Sequence, residues 1–475
     1  MSYDRELIRK IVEEVVRRHV GGDGHNSKVQ VDPGSGGIYN SLNDAVAAAS
    51  QASKHWCGMT LEKRAVCIEA MRRVSLDQAR PMAQMAAAET SLGRPEDKYH
   101  KNVLQARKTP GIEDVEPRVF TGDHGLTLVE KAPFGVIGSV TPTTNPVATI
   151  INNSISMVSA GNAVVFNPHP RARGCCARMI QFLNQAIAQA GGPDTLLTSV
   201  AEPTVETSQQ LMKHPGIRCL VVTGGPGVVD AAMKSGKKVI AAGPGNPPVV
   251  VDETADLARA ARDVVAGASF DNNIMCTCEK EVLVVETAFR ELRERMLSNH
   301  CYELTSRQLD ELTRVIFLEP PVGQTRRILN ADVIGQNASD VAKTIGLDLP
   351  REIRLLIAET PFDHPLVLRE QMMPVLPLVR CRNYDEALQM AVAAEGERFH
   401  TAVIHSHNIE HLSRMAKVAN ANIFVKNGPN YAGLGFGGEG FTTMTIAGST
   451  GEGATSARTF TRERRCALID HFRIL

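Results

Sequence analysis

The chain has 475 residues, more than the ~250–300 that one hydrophobic core normally holds, so two or three lobes are expected. Lys plus Arg and Asp plus Glu each number 52, and this zero net charge excludes a strongly basic nucleic-acid-binding protein. No apolar run approaches the ~18–20 residues that span a bilayer, which excludes a membrane-spanning protein. The 10 cysteines follow no regular framework, which favours reduced thiols in the cytosol.

The first 20 residues form a segment of their own. Apolar residues recur there at helical spacing with charged residues between them, and Gly21 and Gly22 follow. The frequent charges argue against a signal peptide. Residues 21–37 are rich in glycine and polar residues, which is typical of a flexible linker. The pattern leaves two interpretations open: a helix that packs on the body or in an oligomer interface, or a peptide that docks on another protein.

The body begins near Ile38. Residues 41–92 and 96–109 contain few helix breakers and are predicted to be helical. Strands that alternate with helices follow, which predicts parallel sheets with ligands bound beyond the carboxyl ends of the strands. The strands of the first series are predicted at 135–140, 163–168, 219–225 and 238–243. A second α/β series from about 255 to 425 has predicted strands at 281–285, 354–359 and 401–406.

Three loops after predicted strands suit a nucleotide: 141–146, 167–170 and 223–227. In the third, Gly224 and Gly225 allow the backbone to approach a phosphate, and a helix N-terminus follows. The same residues also make ordinary turns, so this loop alone does not distinguish a phosphate-binding site from a turn. The G-x-G-x-x-G matches within 433–440 have no flanking strand and helix, and are interpreted as a turn-rich loop near the active site.

Cys276 follows a polar Asp-Asn-Asn run and precedes a predicted strand, which suits a nucleophilic thiol, although composition alone also allows an inert one. Cys278 raises the alternative of a metal or redox pair, but C-x-C without a second pair is weak evidence for zinc. His405, His407 and His411 lack a carboxylate motif, and no metal site is predicted.

Three long stretches, 241–276, 364–380 and 450–474, together resemble the aldehyde dehydrogenase superfamily. The resemblance extends over nearly all of the chain after Ile38 and is to the coenzyme A-acylating branch associated with bacterial microcompartments. It implies an α/β fold with a Rossmann-type cofactor domain, an α/β catalytic domain and a small oligomerisation arm. The implied domains are an encapsulation helix at 1–20, a linker at 21–37, a NAD- and CoA-binding domain at 38–247 interrupted by an arm at 114–134, a catalytic domain at 248–440, and an oligomerisation tail at 441–475.

The same resemblance implies the residues of the site. Cys276 is the implied nucleophile. The oxyanion donor is Asn145 or its neighbour Thr144, and Asn145 is favoured. Glu370 is implied to bind the nicotinamide ribose. The implied cofactor-binding residues are Thr141, Pro142, Asn167, Gly224, Gly225, Val228, Gly243 and Glu370.

The functional hypothesis rests on one sequence difference between this chain and its hydrolytic relatives. Those relatives have a glutamate where this chain has Ala241, and that glutamate is the base that activates water against the thioester. Without it a thiol must complete the reaction, which implies coenzyme A beside NAD, with acyl-CoA and NADH as products. The alternatives are a hydrolytic or phosphorylating aldehyde dehydrogenase, and a non-catalytic protein that docks on a shell.

The resemblance also implies partners and location. The substrate is a short-chain aldehyde, propionaldehyde or acetaldehyde. Residues 1–20 are similar to encapsulation peptides and imply binding to a shell protein, which places the enzyme in the cytoplasm inside a microcompartment. The arm and tail imply a homo-oligomer, a dimer or a tetramer. The alternating basic and apolar residues after Ser456 predict an added pair of edge strands.

Overall fold

The computed structural model describes residues 35–320 and 328–474. The helix predicted at 1–20 and nearly all of the linker predicted at 21–37 lie outside the described residues. Among the described helices, none is long and apolar enough to cross a membrane.

The strands are, in chain order, β1 (Ile38–Tyr39), β2 (Arg118–Gly122), β3 (Gly125–Pro133), β4 (Val136–Thr141), β5 (Ala163–Pro168), β6 (Leu197–Val200), β7 (Cys219–Thr223), β8 (Lys238–Ala242), β9 (Pro248–Val251), β10 (Glu281–Val285), β11 (Cys301–Glu303), β12 (Phe317–Leu318), β13 (Ile328–Leu329), β14 (Leu355–Glu359), β15 (Val375–Cys381), β16 (Thr401–His405), β17 (Ile423–Lys426), β18 (Ile446–Ala447), β19 (Gly453–Ala454) and β20 (Thr461–Ile469).

The α-helices are, in chain order, α1 (Leu42–Gly58), α2 (Leu61–Asp77), α3 (Ala79–Thr90), α4 (Pro95–Lys108), α5 (Pro146–Ser159), α6 (Arg173–Gln189), α7 (Val205–Lys213), α8 (Pro226–Met233), α9 (Leu257–Ala268), α10 (Glu286–Leu297), α11 (Ser306–Ile316), α12 (Ala338–Lys343), α13 (Pro365–Leu368), α14 (Tyr384–Glu395) and α15 (Ile409–Ala419).

The predicted helical stretch at 41–92 is divided by local capping. The Ser41 hydroxyl accepts from the Asp44 N–H at 3.1 Å and begins α1, and Thr60 caps α2 in the same way through Lys63. Helix α4 has Pro95 in its first turn, where a missing N–H costs nothing. This helix matters for function because its buried face carries charged side chains toward the site.

The first sheet has six parallel strands in the order β1-β6-β5-β4-β7-β8. The chain leaves β4 for β5 on one side and later returns to β7 on the other side. The topological switch point therefore lies between β4 and β7, where open α/β sheets bind ligands. Thr141 and Thr223 end these two strands.

The second sheet has seven parallel strands in the order β11-β14-β15-β10-β9-β16-β17. The segment 243–247 leads from β8 of the first sheet directly into β9. Strands β9, β11, β15 and β17 of this sheet were not among the predicted strands. Pro248 and Pro377 lie within β9 and β15, and proline is unusual in central strands. With these two sheets, the predicted α/β fold is confirmed.

A third, antiparallel sheet has the order β2-β3-β20. It joins residues of the predicted arm with the predicted tail: β20 pairs with β3 from Thr461 opposite Pro133 to Ile469 opposite Gly125. The tail adds one long edge strand here rather than a pair of strands.

Asn162 joins four segments at the root of this sheet. Its side chain is fully buried, and its Oδ1 accepts from the N–H groups of Phe134 at 2.7 Å and Gly135 at 3.1 Å. Its Nδ2 donates to the carbonyls of Met157 at 3.1 Å and Phe460 at 2.9 Å. One side chain thus satisfies four backbone groups, which ties β3, β4, α5 and the segment before β20 together.

We predict that Asn162→Ala destabilises the protein by roughly 3 kcal/mol or more, because each buried polar group left without a hydrogen-bond partner costs about 1–3 kcal/mol. The measurement is the urea midpoint, or the Tm at a fixed scan rate. Asn43→Ala is the matched control, since the exposed Asn43 side chain bonds the His214 ring and no second side chain among the described residues, and a change within about 0.5 kcal/mol is expected. Equal shifts in the two variants would contradict the role of Asn162.

Candidate active site

The loop before Cys276 has an unusual backbone. Asp271, Asn272 and Asn273 have φ angles of 47°, 53° and 63°, in the left-handed region. Left-handed backbone costs roughly 1–2 kcal/mol for each such residue, so the surroundings must hold it. Asn272 Nδ2 donates to the Gly335 carbonyl at 2.9 Å, and Asn273 Nδ2 donates to the carbonyls of Ala268 at 2.7 Å and Glu279 at 2.9 Å. The polar run therefore shapes the loop that presents the cysteine.

Cys276 is half-buried and lies against the segment that joins the two sheets. A Cβ on Gly245 would lie 2.3 Å from the Cys276 carbonyl oxygen and 3.1 Å from the His400 ring, so only glycine fits. The Gly245 backbone N–H is near the Glu370 carboxylate and acts to lower its pKa. Cys276, Glu370 and His400 are thereby brought together around one glycine. The sequence indicated Cys276 and Glu370, but it gave no signal for His400 or for Gly245.

Burial raises the pKa of the Cys276 thiol to about 12, and the nearby Glu370 carboxylate adds to this rise. The charges of Lys280 and Lys101 act in the opposite direction. Burial also raises the pKa of Glu370, while Lys280 and Arg398 oppose that rise. Burial and the carboxylate charge therefore favour the protonated thiol over the thiolate.

His400 is a buried, neutral imidazole. Burial, assisted by the charge of Lys280, lowers its pKa to about 4. Its Nδ1 lies 2.9 Å from the Thr401 hydroxyl, and none of the described residues hydrogen-bonds its Nε2. A buried nitrogen without a partner is rare in proteins and fits a role toward a bound molecule.

Asn145 precedes the first turn of α5 and is 7% exposed. Its Oδ1 accepts from Lys101 Nζ at 2.5 Å, and its Nδ2 donates to the Thr144 hydroxyl at 3.2 Å. The Thr144 hydroxyl is thus engaged by Asn145. The Thr144 hydroxyl accepts in this contact and keeps its own O–H, and the Asn145 amide keeps a second N–H, so both candidate oxyanion donors retain a hydrogen to donate.

The switch point of the first sheet has the features of a nucleotide site. Within the part of the chain that the structure describes, the buried hydroxyls of Thr141, Thr143 and Thr223 have no hydrogen-bond partner. Pro142 follows Thr141 and is half-buried. A Cβ on Gly225, at the N-cap of α8, would meet nothing within 4 Å. Open space and unpartnered hydroxyls at this edge fit a bound dinucleotide.

The remaining implied cofactor residues differ in their surroundings. Gly224 bonds its N–H to the Ala242 carbonyl at 3.2 Å, and Val228 is 38% exposed on the first turn of α8. Gly243 lies against Ser449, 3.1 Å from a built Cβ. Asn167 is buried, and its amide already bonds Thr207 Oγ1 at 2.7 Å and Ser208 Oγ at 3.3 Å at the start of α7. Its described contacts are therefore structural.

Position 241 carries no side chain that can act as a catalytic base. Ala241 is fully buried in β8, and its N–H donates to the Thr450 hydroxyl at 3.0 Å. The carboxylate that lies close to the cysteine is instead Glu370, whose charge raises the Cys276 pKa.

A cleft of about 260 Å³, with its open mouth included, adjoins the cysteine loop. Its walls are mostly apolar and include Lys101, Leu104, Phe270, Met275, Tyr431 and Phe436. The residue before Cys276 thus contributes to the wall of a narrow, apolar space.

Cys278 and His411, which the sequence analysis considered for a metal or redox site, have contacts within the protein that account for their positions. Cys278 is fully buried, its Sγ contacts the Phe270 carbonyl at 3.7 Å, and burial raises its thiol pKa well above the ordinary value. The Asp252 carboxylate, 2.7 Å from His411 Nδ1, also accepts from Thr254 and Ser406. Its oxygens are occupied by protein donors.

The fold and the cysteine site together define the class. The model of the aldehyde dehydrogenase family matches residues 37–315, and the chain belongs to this family.

Within the family, the chain is 53% identical over 440 residues to the acetaldehyde dehydrogenase (acetylating) EutE of Salmonella typhimurium, covering 92% of this chain and 94% of the relative. It is 46% identical over 449 residues to the propanal dehydrogenase (CoA-propanoylating) of the same organism, covering 94% and 95%. Among solved structures, it is similar to the Rhodopseudomonas palustris propionaldehyde dehydrogenase with bound CoA and an acylated cysteine, with a TM-score of 0.89, 44% identity and coverage of 92% and 99%.

We predict that Glu370→Gln accelerates alkylation of Cys276 by iodoacetamide several-fold at pH 8. Loss of the carboxylate charge lowers the thiol pKa, so a larger fraction is thiolate, which is the reacting form. Peptide mass spectrometry must resolve the site, because Cys57 and Cys466 are exposed and also react. Glu359→Gln, a surface carboxylate paired with Arg380, is the control and should leave the rate unchanged. A slower or unchanged rate in Glu370→Gln would rule out this electrostatic coupling.

Proposed function

We propose that this protein oxidises a short-chain aldehyde with NAD and coenzyme A to acyl-CoA and NADH, through a thioester on Cys276, and that it catalyses the reverse reaction. The observation that carries the proposal is the buried Ala241 where a hydrolytic enzyme needs a carboxylate base. The similarity to enzymes that form acetyl- and propanoyl-CoA supports it.

The covalent chemistry takes place on Cys276. Its thiolate attacks the aldehyde carbon to form a thiohemiacetal, and the oxyanion is held by the Cys276 backbone N–H and the Asn145 Nδ2. Loss of hydride from that carbon leaves an acyl thioester on the sulfur. The CoA thiolate then attacks the thioester carbonyl, the acyl–Cys276 bond breaks, and acyl-CoA leaves. Overall, one aldehyde, one NAD and one CoA give one acyl-CoA, one NADH and one proton.

Two groups near the sulfur are candidates to assist deprotonation, Glu370 and His400. Burial raises the pKa of the thiol to about 12 and lowers the pKa of the His400 imidazole to about 4, and so opposes proton transfer from the sulfur to this ring. The charges of Lys280 and Lys101 act on the thiol in the direction that favours the thiolate.

The nicotinamide cofactor, when bound, would supply a positively charged ring near the thiol and the hydride acceptor. Thr141, Pro142 and the Gly224-Gly225 turn would hold it at the switch point, with Val228 beside the adenine. Glu370 would accept hydrogen bonds from the nicotinamide ribose. Asn167 and Gly243 complete the cofactor-binding set that the family resemblance implies.

The cleft favours a small substrate. Phe270, Tyr431 and Met275 enclose a narrow apolar space beside the cysteine loop. Ile274, which precedes Met275 in the loop, packs on Gly93 and Gly335 instead. A two-carbon and a three-carbon aldehyde differ by one methylene, worth ~1–3 kcal/mol in such a pocket. The proposed substrate is therefore a short-chain aldehyde, propionaldehyde or acetaldehyde.

We predict that NADH formation from propionaldehyde and NAD requires coenzyme A and is abolished in Cys276→Ala. The measurement follows absorbance at 340 nm and identifies products by mass spectrometry. Cys278→Ala is the matched control and should retain turnover, because the Cys278 thiol is fully buried and contacts the Phe270 carbonyl at 3.7 Å. Turnover that persists without coenzyme A and releases free acid would establish the hydrolytic alternative.

We infer that the protein forms a homo-oligomer, a dimer or a tetramer, through the sheet β2-β3-β20. Val119 and Phe120 on β2 and Ile469 on β20 are 55%, 59% and 65% exposed. Large apolar side chains that are exposed on one small sheet typically mark an interface.

Residues 1–20 are proposed to bind a microcompartment shell protein and so to place the enzyme in the cytoplasm inside the compartment. The sequence pattern of a tethered amphipathic helix supports this, and one similar solved structure, 44% identical with a TM-score of 0.89, is the propionaldehyde dehydrogenase of the Clostridium phytofermentans fucose utilisation microcompartment.

We predict that deletion of residues 1–20 leaves CoA-dependent turnover within about twofold of the full chain but abolishes co-sedimentation with assembled shells. Reversal of the charges at Arg9 and Lys10 tests the same segment without truncation. Loss of turnover on deletion, with shell binding retained, would indicate a structural helix instead.

A further inference from the structure

Two lysines one turn apart on α4 enter the protein interior beside the cysteine loop. Lys98 and Lys101 are each 3% exposed, and both contact the same oxygen of Asp271. Lysine is rarely this buried unless it is paired. Lys98 Nζ lies 3.1 Å from Asp271 Oδ2, and Lys101 Nζ makes a short hydrogen bond to it.

The electrostatic partners of the two lysines are similar, but their remaining contacts differ. Lys98 donates its other hydrogen bond to the Thr144 backbone carbonyl at 3.3 Å. Lys101 donates to the Asn145 side-chain oxygen at 2.5 Å. Lys101 also lines the apolar cleft and is close enough to Cys276 to lower its thiol pKa. Only Lys101 therefore acts on the amide.

The contact fixes which end of the Asn145 amide faces the reacting carbonyl. With Nζ donating to Oδ1, the Nδ2 group points away from Lys101, donates one N–H to Thr144 and keeps one N–H available. A flipped amide would set two donors against each other and leave Lys101 with only Asp271 as an acceptor, which is costly in a buried site. Donation to Oδ1 also polarises the amide and strengthens its N–H as a donor.

We infer that Lys101 is a positioning residue for the reaction: it holds the Asn145 amide in the orientation that binds the oxyanion of the thiohemiacetal, an inference that rests on the proposed covalent chemistry. Lys101 does not touch the substrate oxygen in this arrangement. Its effect on catalysis passes through Asn145.

The test is a double-mutant cycle of Lys101→Met and Asn145→Ala in the full chain, assayed with propionaldehyde, NAD and coenzyme A. Loss of an oxyanion donor costs about 10²–10³ in kcat, and Asn145→Ala is expected to fall in that range. Lys101→Met should lower kcat ~10- to 100-fold and leave the KM for NAD within about threefold. In the Asn145→Ala background, the same substitution should have almost no further effect.

Lys98→Met is the matched control, because it removes a buried cation from the same carboxylate without releasing the amide. Its effect on kcat should persist undiminished in the Asn145→Ala background. Tm values identify variants that are not folded. If Lys101→Met does not fold, Lys101→Gln, which retains a donor, takes its place in the cycle. Any decrease in kcat that Lys101→Gln causes must likewise disappear in the Asn145→Ala background.

Two results would overturn the inference. One is full multiplicativity of the Lys101 and Asn145 effects, and the other is an equal coupling of Lys98 to Asn145. Either result would mean that Lys101 has a structural role as a buried cation and does not position Asn145. Failure of the proposed function is seen separately, as wild-type turnover without coenzyme A, and the cycle remains readable in that case because a hydrolytic route also forms an oxyanion.

Discussion

The buried carboxylate of Asp271 is the interaction on which the site depends. It accepts from the Arg94 N–H at 2.6 Å and from Lys98 and Lys101, and it begins the left-handed run before Cys276. Burial alone would raise the pKa of this carboxyl, but the two ammonium groups outweigh it and the pKa is lowered. A buried ion costs several kcal/mol unless it is paired, so loop and helix are stable only together.

This pairing explains how one site is assembled from two sheets. The switch point between β4 and β7 offers a crevice at the carboxyl ends of the first sheet, whereas the cysteine loop lies at the amino end of β10 in the second. Helix α4 contacts both through its lysines. Hydride transfer demands a separation of a few ångströms between a carbon on the cysteine and the cofactor. A rigid, charged junction meets that demand better than a mobile loop would.

Much of this could be predicted from the chain, and the rest could not for physical reasons. The apolar runs of β4, β5, β7 and β10 and the resemblance around Cys276 gave the fold and the family. His400, Gly245 and Lys101 are distant from Cys276 in sequence, so no local pattern indicated them. Asn167 could not be assessed from sequence, because its hydrogen bonds to α7 depend on long-range packing. The strand β15 was missed since Pro377 interrupts its pattern.

The close fit at Gly245 limits how the enzyme can be redesigned. One side of the cysteine is formed by backbone: any side chain at Gly245 would displace either the Cys276 peptide or the His400 ring. No enlargement of the acyl chamber is available in that direction. The cleft beside the cysteine loop is lined mostly by aromatic and aliphatic side chains, which can be replaced by smaller ones. Acceptance of longer or branched aldehydes must therefore be engineered through Phe270, Tyr431 and Phe436, at some cost in packing.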